Sequence, residues 1–252
     1  GPNVDCSAKV HSDVGVIAER PIYFVYKPGS GDWTGGHDVI GAAAPGTEWY
    51  FAEGTTRDGF DEWLCLQNPG DTEATVTVTY MLGTGQNLNQ VEVVAPYSRK
   101  TIDVPAFVGR GQDVSMSLTS TQPIVAERPM YFNYVGINGG HDVVGANSSG
   151  KDWYFAEGAT QAGFQEWLCI QNPNDADTEV TITYMLGTGE NKEQRVTVKQ
   201  RSRATVDVNS YVGFGQDVSA HISCPHPIIV ERPMYFDHHG WTGGHDVVGY
   251  SL

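Results

Sequence analysis

The sequence predicts an all-β protein of tandem β-sandwich repeats. Three observations carry that expectation: a repeat that needs no gaps, β-branched stretches of period two, and turn residues between them. Trp49-Tyr50-Phe51-Ala52-Glu53-Gly54 recurs as Trp153-Tyr154-Phe155-Ala156-Glu157-Gly158, an offset of 104 residues (49 to 153). The same offset carries Glu62-Trp63-Leu64-Cys65 onto Glu166-Trp167-Leu168-Cys169, and Glu127-Arg128-Pro129-Met130-Tyr131-Phe132 onto Glu231-Arg232-Pro233-Met234-Tyr235-Phe236.

A shorter copy precedes these two. Glu19-Arg20-Pro21-Ile22-Tyr23-Phe24 matches the Glu-Arg-Pro segment, and Gly35-Gly36-His37-Asp38-Val39 matches the segments beginning at Gly139 and Gly243. Extra residues around Lys27-Pro28-Gly29 mark a surface loop that tolerates insertion. The expected organisation is a partial repeat over 1–47, then complete repeats over 48–150 and 151–252. Residues 5–26 are expected to supply the sixth and seventh strands of a sandwich, followed by a linker.

Within a complete repeat the first strand starts at Trp49 and the second holds Glu62-Trp63-Leu64-Cys65. Thr75-Val76-Thr77-Val78-Thr79-Tyr80 alternates as a half-buried strand, as does Thr181-Ile182-Thr183-Tyr184. Segments 90–94, 101–104, 114–118 and 124–132 read alike, with Asn68-Pro69-Gly70-Asp71 and Gly83-Thr84-Gly85 as punctuation. No stretch of a dozen residues shows helical spacing. About seven strands in about 100 residues is the size of an immunoglobulin-like sandwich. Trp49, Phe51, Trp153 and Phe155 are expected in the cores, together with Tyr80, Tyr131 and Tyr184.

These motifs together (Trp-Tyr-Phe-Ala-Glu-Gly, Asn-Pro-x-Asp, the Glu-Arg-Pro-Met-Tyr-Phe segment and Gly-Gly-His-Asp-Val) resemble tandem Ig-like repeats of large secreted and surface-anchored bacterial proteins. Most of those repeats have no assigned function. The resemblance implies an extracellular or cell-surface location and carries over no catalytic residue.

Charge narrows the partners. Asp and Glu number 30 against 15 Lys and Arg, a formal charge of −15. Such a chain is repelled by phosphate backbones and by anionic head groups, so neither nucleic acid nor membrane insertion is expected. The expected partners are neighbouring copies of the chain or further repeats of a longer parent, with cell-surface glycan second. No Gly-x-Ser-x-Gly elbow accompanies the His-Asp pairs, so no enzyme and no cofactor are expected. Calcium in the acidic loops at 71–73 and 175–177 is the cation that an acidic extracellular array would favour, without EF-hand spacing to support it.

Four groups of residues stand out. Glu53 with Arg128 and Glu157 with Arg232 are expected to brace each repeat, since a buried carboxylate needs a partner. Neighbouring strand residues point to opposite faces, so Glu127 and Arg128 cannot pair with each other. His37 and Asp38, His141 and Asp142, and His245 and Asp246 are expected in the linker after the last strand, bonding local backbone and fixing the angle to the next repeat. Trp33, Tyr134 and Trp241 are expected in variable tip loops, where exposed aromatics stack on sugar rings. Five of the eight histidines, among them His221, His226, His238 and His239, crowd the last 32 residues. Only His245 is matched in the preceding repeat and Pro225-His226-Pro227 reads as a turn, so no metal cluster is expected.

Four cysteines suit an oxidising compartment. Cys169 and Cys224 occupy the second and sixth strands of one repeat, the placement of the immunoglobulin disulfide, and Cys65 is left with Cys6. Strand parity opposes this, because Leu168 and Ile170 compete with Cys169 for the core face.

Overall fold

The computed structural model describes residues 4–29 and 31–251, and the chain is built almost wholly of antiparallel strands. A hairpin of β1 (Glu19–Tyr26) and β2 (Trp33–Ile40) comes first. The first complete unit then runs through β3 (Gly46–Phe51), β4 (Phe60–Asn68), β5 (Ala74–Leu82), β6 (Asn87–Val94), β7 (Ser98–Asp103), α1 (Val104–Val108), β8 (Val114–Tyr134) and β9 (Ile137–Val144). The second comprises β10 (Gly150–Phe155), β11 (Phe164–Asn172), β12 (Thr178–Leu186), β13 (Asn191–Val198), β14 (Ser202–Asp207), α2 (Val208–Val212), β15 (Val218–Glu231), β16 (Met234–His238) and β17 (Trp241–His245).

Each unit is a sandwich whose two sheets share one long strand. The first half of β8 pairs with β5 and β3, giving the order β6-β5-β8-β3. Its second half pairs with β4 and β9, giving β7-β4-β8-β9. The switch falls between Ser120, the last residue paired to β5, and Val125, the first paired to β4. Pro123 lies in that gap, where no ladder hydrogen bond is required of it. The sixth and seventh strands expected from the sequence are therefore one bent strand. This partition differs from the two sheets of an immunoglobulin constant domain, where strands six and seven lie side by side. In the second unit β15 and β16 play the part of β8, interrupted at Arg232-Pro233.

The cores follow the alternation in the sequence. Val76, Val78 and Tyr80 of β5 are buried while Thr75, Thr77 and Thr79 turn outward. Trp49 Nε1 donates to the Ile124 carbonyl at 3.0 Å, and Trp153 Nε1 to that of Ile228 at 3.1 Å, so each tryptophan ties the first strand to the bend. The two single-turn helices start where an aspartate leaves the sheet: Asp103 accepts from Ala106 N, and Asp207 from Ser210 N, each at 3.0 Å.

The partial repeat differs from expectation. Residues 5–18 form no strand, and the hairpin joins Glu19–Tyr26 to Trp33–Ile40, a segment expected as linker. Likewise Gly-Gly-His-Asp-Val lies within strands β2 and β9 and runs through the end of β17; Met130 faces His141 and Pro129 faces Asp142 across the ladder. Two-residue turns make the later hairpins, with Val135 and Gly136, then His239 and Gly240, all at positive φ as a type I′ turn requires.

The three hairpins stack on one another through their glycine pairs. A Cβ on Gly139 would lie 2.7 Å from the Phe132 ring and 3.1 Å from the Gly243 Cα; one on Gly35 would lie 3.2 Å from the Gly139 Cα. Only glycine allows the backbones this close. Overpacking such a contact costs about 1–3 kcal/mol. Gly139→Ala is therefore expected to lower the melting temperature by several degrees, whereas Gly15→Ala, with nothing within 4 Å of its Cβ, leaves it unchanged. Parallel thermal melts decide this.

Candidate interaction site: the junction between units

The second half of β8 presents alternate residues to opposite neighbours. Glu127 and Tyr131 face the β1–β2 hairpin; Arg128 and Phe132 face the second unit. Tyr131 stacks on Tyr26 at 4.5 Å and meets Phe24 edge-on at 4.8 Å, so it packs at the junction and not in the sandwich core where it was expected. On the other face Phe132 meets Tyr235 edge-on at 5.0 Å.

Arg128 is the centre of the junction. Its guanidinium is fully buried and lies 2.7 Å from Glu53, 2.7 Å from Asp246 and 3.0 Å from Glu231. Glu53 belongs to the same unit; Glu231 and Asp246 come from the next. Glu231 also accepts from the backbone N–H groups of Ala52 at 3.0 Å and Glu53 at 2.9 Å, one on each carboxylate oxygen. Tyr235 completes the set by donating to Glu53 at 2.9 Å. The sequence suggested the Glu53 contact alone; the links to Glu231 and Asp246 emerge only from the fold.

The same arrangement stands in two other states. Arg20 of the hairpin donates to Glu127 at 2.8 Å and to Asp142, half exposed. Arg232 of the second unit reaches the carbonyl of Glu157 and, at 3.1 Å, its side chain, the one carboxylate partner of Arg232 among the described residues. The junction pairs thus correct the linker expectation. Asp142 and Asp246 bond arginines of the preceding unit, not local backbone, because strand parity turns them away from their own sandwich. His37 is partly buried beside Phe24 at 6.2 Å, while Asp38 is exposed.

Sandwich faces add to the contact. Gln171 donates to the Met81 sulfur at 3.6 Å, and Arg203 to Ser115 at 3.1 Å. The equivalent residues of the first unit, Gln67 and Arg99, bond Ala8 O at 3.2 Å and Asp5 at 2.9 Å, so residues 5–8 run where a neighbouring sandwich would sit.

The cysteines are free, which overturns both expected disulfides. Leu168 and Ile170 take the core face, leaving Cys169 on the outer face beside Thr205 and Arg203. Cys224 donates to the His226 carbonyl at 3.0 Å, on the edge where β15 bends. Cys65 sits 3.9 Å from Thr101 and 3.5 Å from Arg99, while Cys6 is exposed.

The expected tip aromatics also separate. Trp33 is buried and tilted against Tyr26, and Tyr134 packs on Phe60 at 5.3 Å and Tyr235 at 5.6 Å. Trp241 alone of the three is exposed. His238 and His239 lie edge to face at 4.2 Å; His221 stacks on Tyr154 and bonds Asp152 at 2.9 Å. Asp175 pairs with Arg201, and Asp177 with Lys199 at 2.8 Å, so lysine and arginine already engage those two acids of the second loop.

Among the described residues one trio could offer ligands to a metal: Glu53, His141 and Asp246, with donor atoms within 4.8 Å of one another. The Arg128 guanidinium occupies the cation position between the two carboxylates. Burial drives His141 down to about 3 and Arg128 adds to it, so the imidazole is neutral. Burial and the adjacent Asp246 push Glu231 well above the carboxylate range. The arrangement can lock two units through hydrogen bonds to the charged Arg128 guanidinium.

No family model matches the chain, and a search of curated proteins found no match. Among solved structures, the crystal structure of Thermotoga maritima 1070 is similar at 16% identity with a TM-score of 0.39, over 41% of this chain and 96% of that one. Anabaena sensory rhodopsin transducer is similar at 23% identity with a TM-score of 0.30, over 35% of this chain and 86% of that one.

Arg128→Ala strands buried carboxylates and is expected to cost about 3–5 kcal/mol. Arg232→Ala removes a buried guanidinium whose one carboxylate partner, Glu157, already faces water, and is expected to cost less than Arg128→Ala. Lys100→Ala, whose pairing with Glu92 lies near the surface, is expected to cost under about 1 kcal/mol. Denaturant unfolding of the three variants separates them.

Burial raises Glu62 to about 8, and Glu166 and Asp142 to about 7. Between the ordinary carboxylate range and these values the folded protein binds more protons than the unfolded chain, so stability falls as pH rises through about 7–8. His37, lowered to about 4, and His141 act oppositely, and their contribution is lost as pH falls below about 6.5. The melting temperature is expected to decline from about pH 6 to 9, and Glu62→Gln to flatten that decline, as a melt series across pH would show.

Proposed function

We propose that this chain is a non-enzymatic, extracellular structural or adhesive repeat module, a stiff segment of a head-to-tail array. The observation that carries the reading is Arg128, buried between a carboxylate of its own unit and two of the next. An ionic lock of this kind fixes the relative position of two sandwiches, since neither can rotate without stranding a charge. The stacked glycine hairpins support the same reading by extending one backbone spine through all three copies of the motif. The acidic surface favours solubility of such a rod.

Small-angle scattering is expected to give one inter-unit geometry for the native protein. Arg128→Ala, if folded, is expected to broaden the distribution of inter-unit distances. A broad distribution for the native protein would remove the reading.

A second reading is a carbohydrate-binding module, favoured by the exposed Trp241 near the paired rings of His238 and His239. Glycan-array binding that is reproducible and lost in Trp241→Ala would support it over the structural one.

A further inference from the structure

We propose that the outward face of the β1–β2 hairpin docks onto the open end of the second unit in another copy of this chain. The inference rests on the array reading above and names the surfaces that join.

The internal junction is the template. Each hairpin has a face turned backward, carrying Glu19, Tyr23 and Asp38 or their equivalents, and a face turned forward, carrying arginine, phenylalanine and histidine. Between the two complete units both faces are covered. Tyr235 is 5% exposed there and donates to Glu53, whereas its equivalent Tyr23 is 87% exposed. On the forward face, Trp33 is 5% and Ile137 6% exposed, whereas Trp241, at the same place beside the hairpin turn, is 78% exposed. Glu157 is 71% exposed where Glu53 is 5%. Residues buried at the internal junction are thus exposed at the two free faces, and the two faces complement each other.

Charge and hydrogen bonding agree with the match. Glu19 and Asp38 form no ion pair among the described residues, while Arg232 holds one carboxylate where Arg128 holds three. The backbone N–H groups of Ala156 and Glu157 stand where those of Ala52 and Glu53 cap Glu231. In the docked pair Glu19 would take those N–H groups, Asp38 would reach Arg232, and Tyr23 would lie against Phe236 and Trp241 with its hydroxyl toward Glu157. The interface is heterologous, so it leaves a free face at each end and can propagate.

The test uses two variants, one blocked at each face: Tyr23→Asp and Trp241→Asp. Both positions are solvent-facing in the single chain, and matching melting curves verify the fold. Sedimentation velocity of the native protein is expected to show growth from monomer to longer species with concentration. Each variant alone is expected to stay monomeric. Mixed in equal amounts they are expected to form a dimer that does not grow, because each supplies the face the other lacks. Native protein that assembles while both variants assemble equally would overturn these surfaces and leave the array reading standing. Native protein that stays monomeric at every concentration would overturn the docking, while rigidity by scattering would still support the module as a stiff repeat. Variants that stay monomeric alone and remain so when mixed would also overturn it.

Discussion

A guanidinium removed from water must bring its counter-charges with it, and at Arg128 they come from two different units. Glu53 meets one terminal nitrogen of the fork from its own unit; Glu231 and Asp246 meet the two terminal nitrogens from the following sandwich. An isolated buried arginine is too costly to persist. The folded unit and its contact with the next are therefore one energetic object. Tyr235 donates to Glu53, and two backbone N–H groups donate to Glu231, so both carboxylates are also held by neutral donors.

Placing those groups requires the unusual path of β8. Its first half completes one sheet, and its second half crosses to the other and projects a hairpin beyond the sandwich. Strand parity then sends Glu127 backward and Arg128 forward, which is why adjacent residues of opposite charge bond different neighbours. The glycine pairs allow these hairpins to approach until backbone nearly meets backbone, with a phenylalanine ring packed beside each pair. Three copies of one motif so appear in three conditions: half covered at the hairpin, sealed at the internal junction, open at the second unit.

Much of the sandwich was legible in the chain. Alternation in segments such as 75–80 reports burial directly, because a strand has two faces and one of them meets the core. The arginine–glutamate pairing within a unit was also readable, since a charged residue on an otherwise apolar strand demands a partner. The glycans' expected platform was not: Trp33 and Tyr134 look like loop aromatics until the hairpin strands are known to stack. The cysteines misled because strand numbering was borrowed from another sandwich, and parity, the local rule, decided against them.

By itself the sequence determined the repeat, the strand content, the core residues of each sandwich apart from Tyr131, and the chemical type of the brace. These depend on local periodicity and on the cost of burying charge, both of which act over a few residues. The tertiary structure alone decided that the sixth and seventh strands are one, that Gly-Gly-His-Asp-Val belongs to a strand, and that Arg128 reaches into the next unit. Parity announces that a residue faces away from its own core without naming what covers it. Only the stacking of successive hairpins supplies that neighbour.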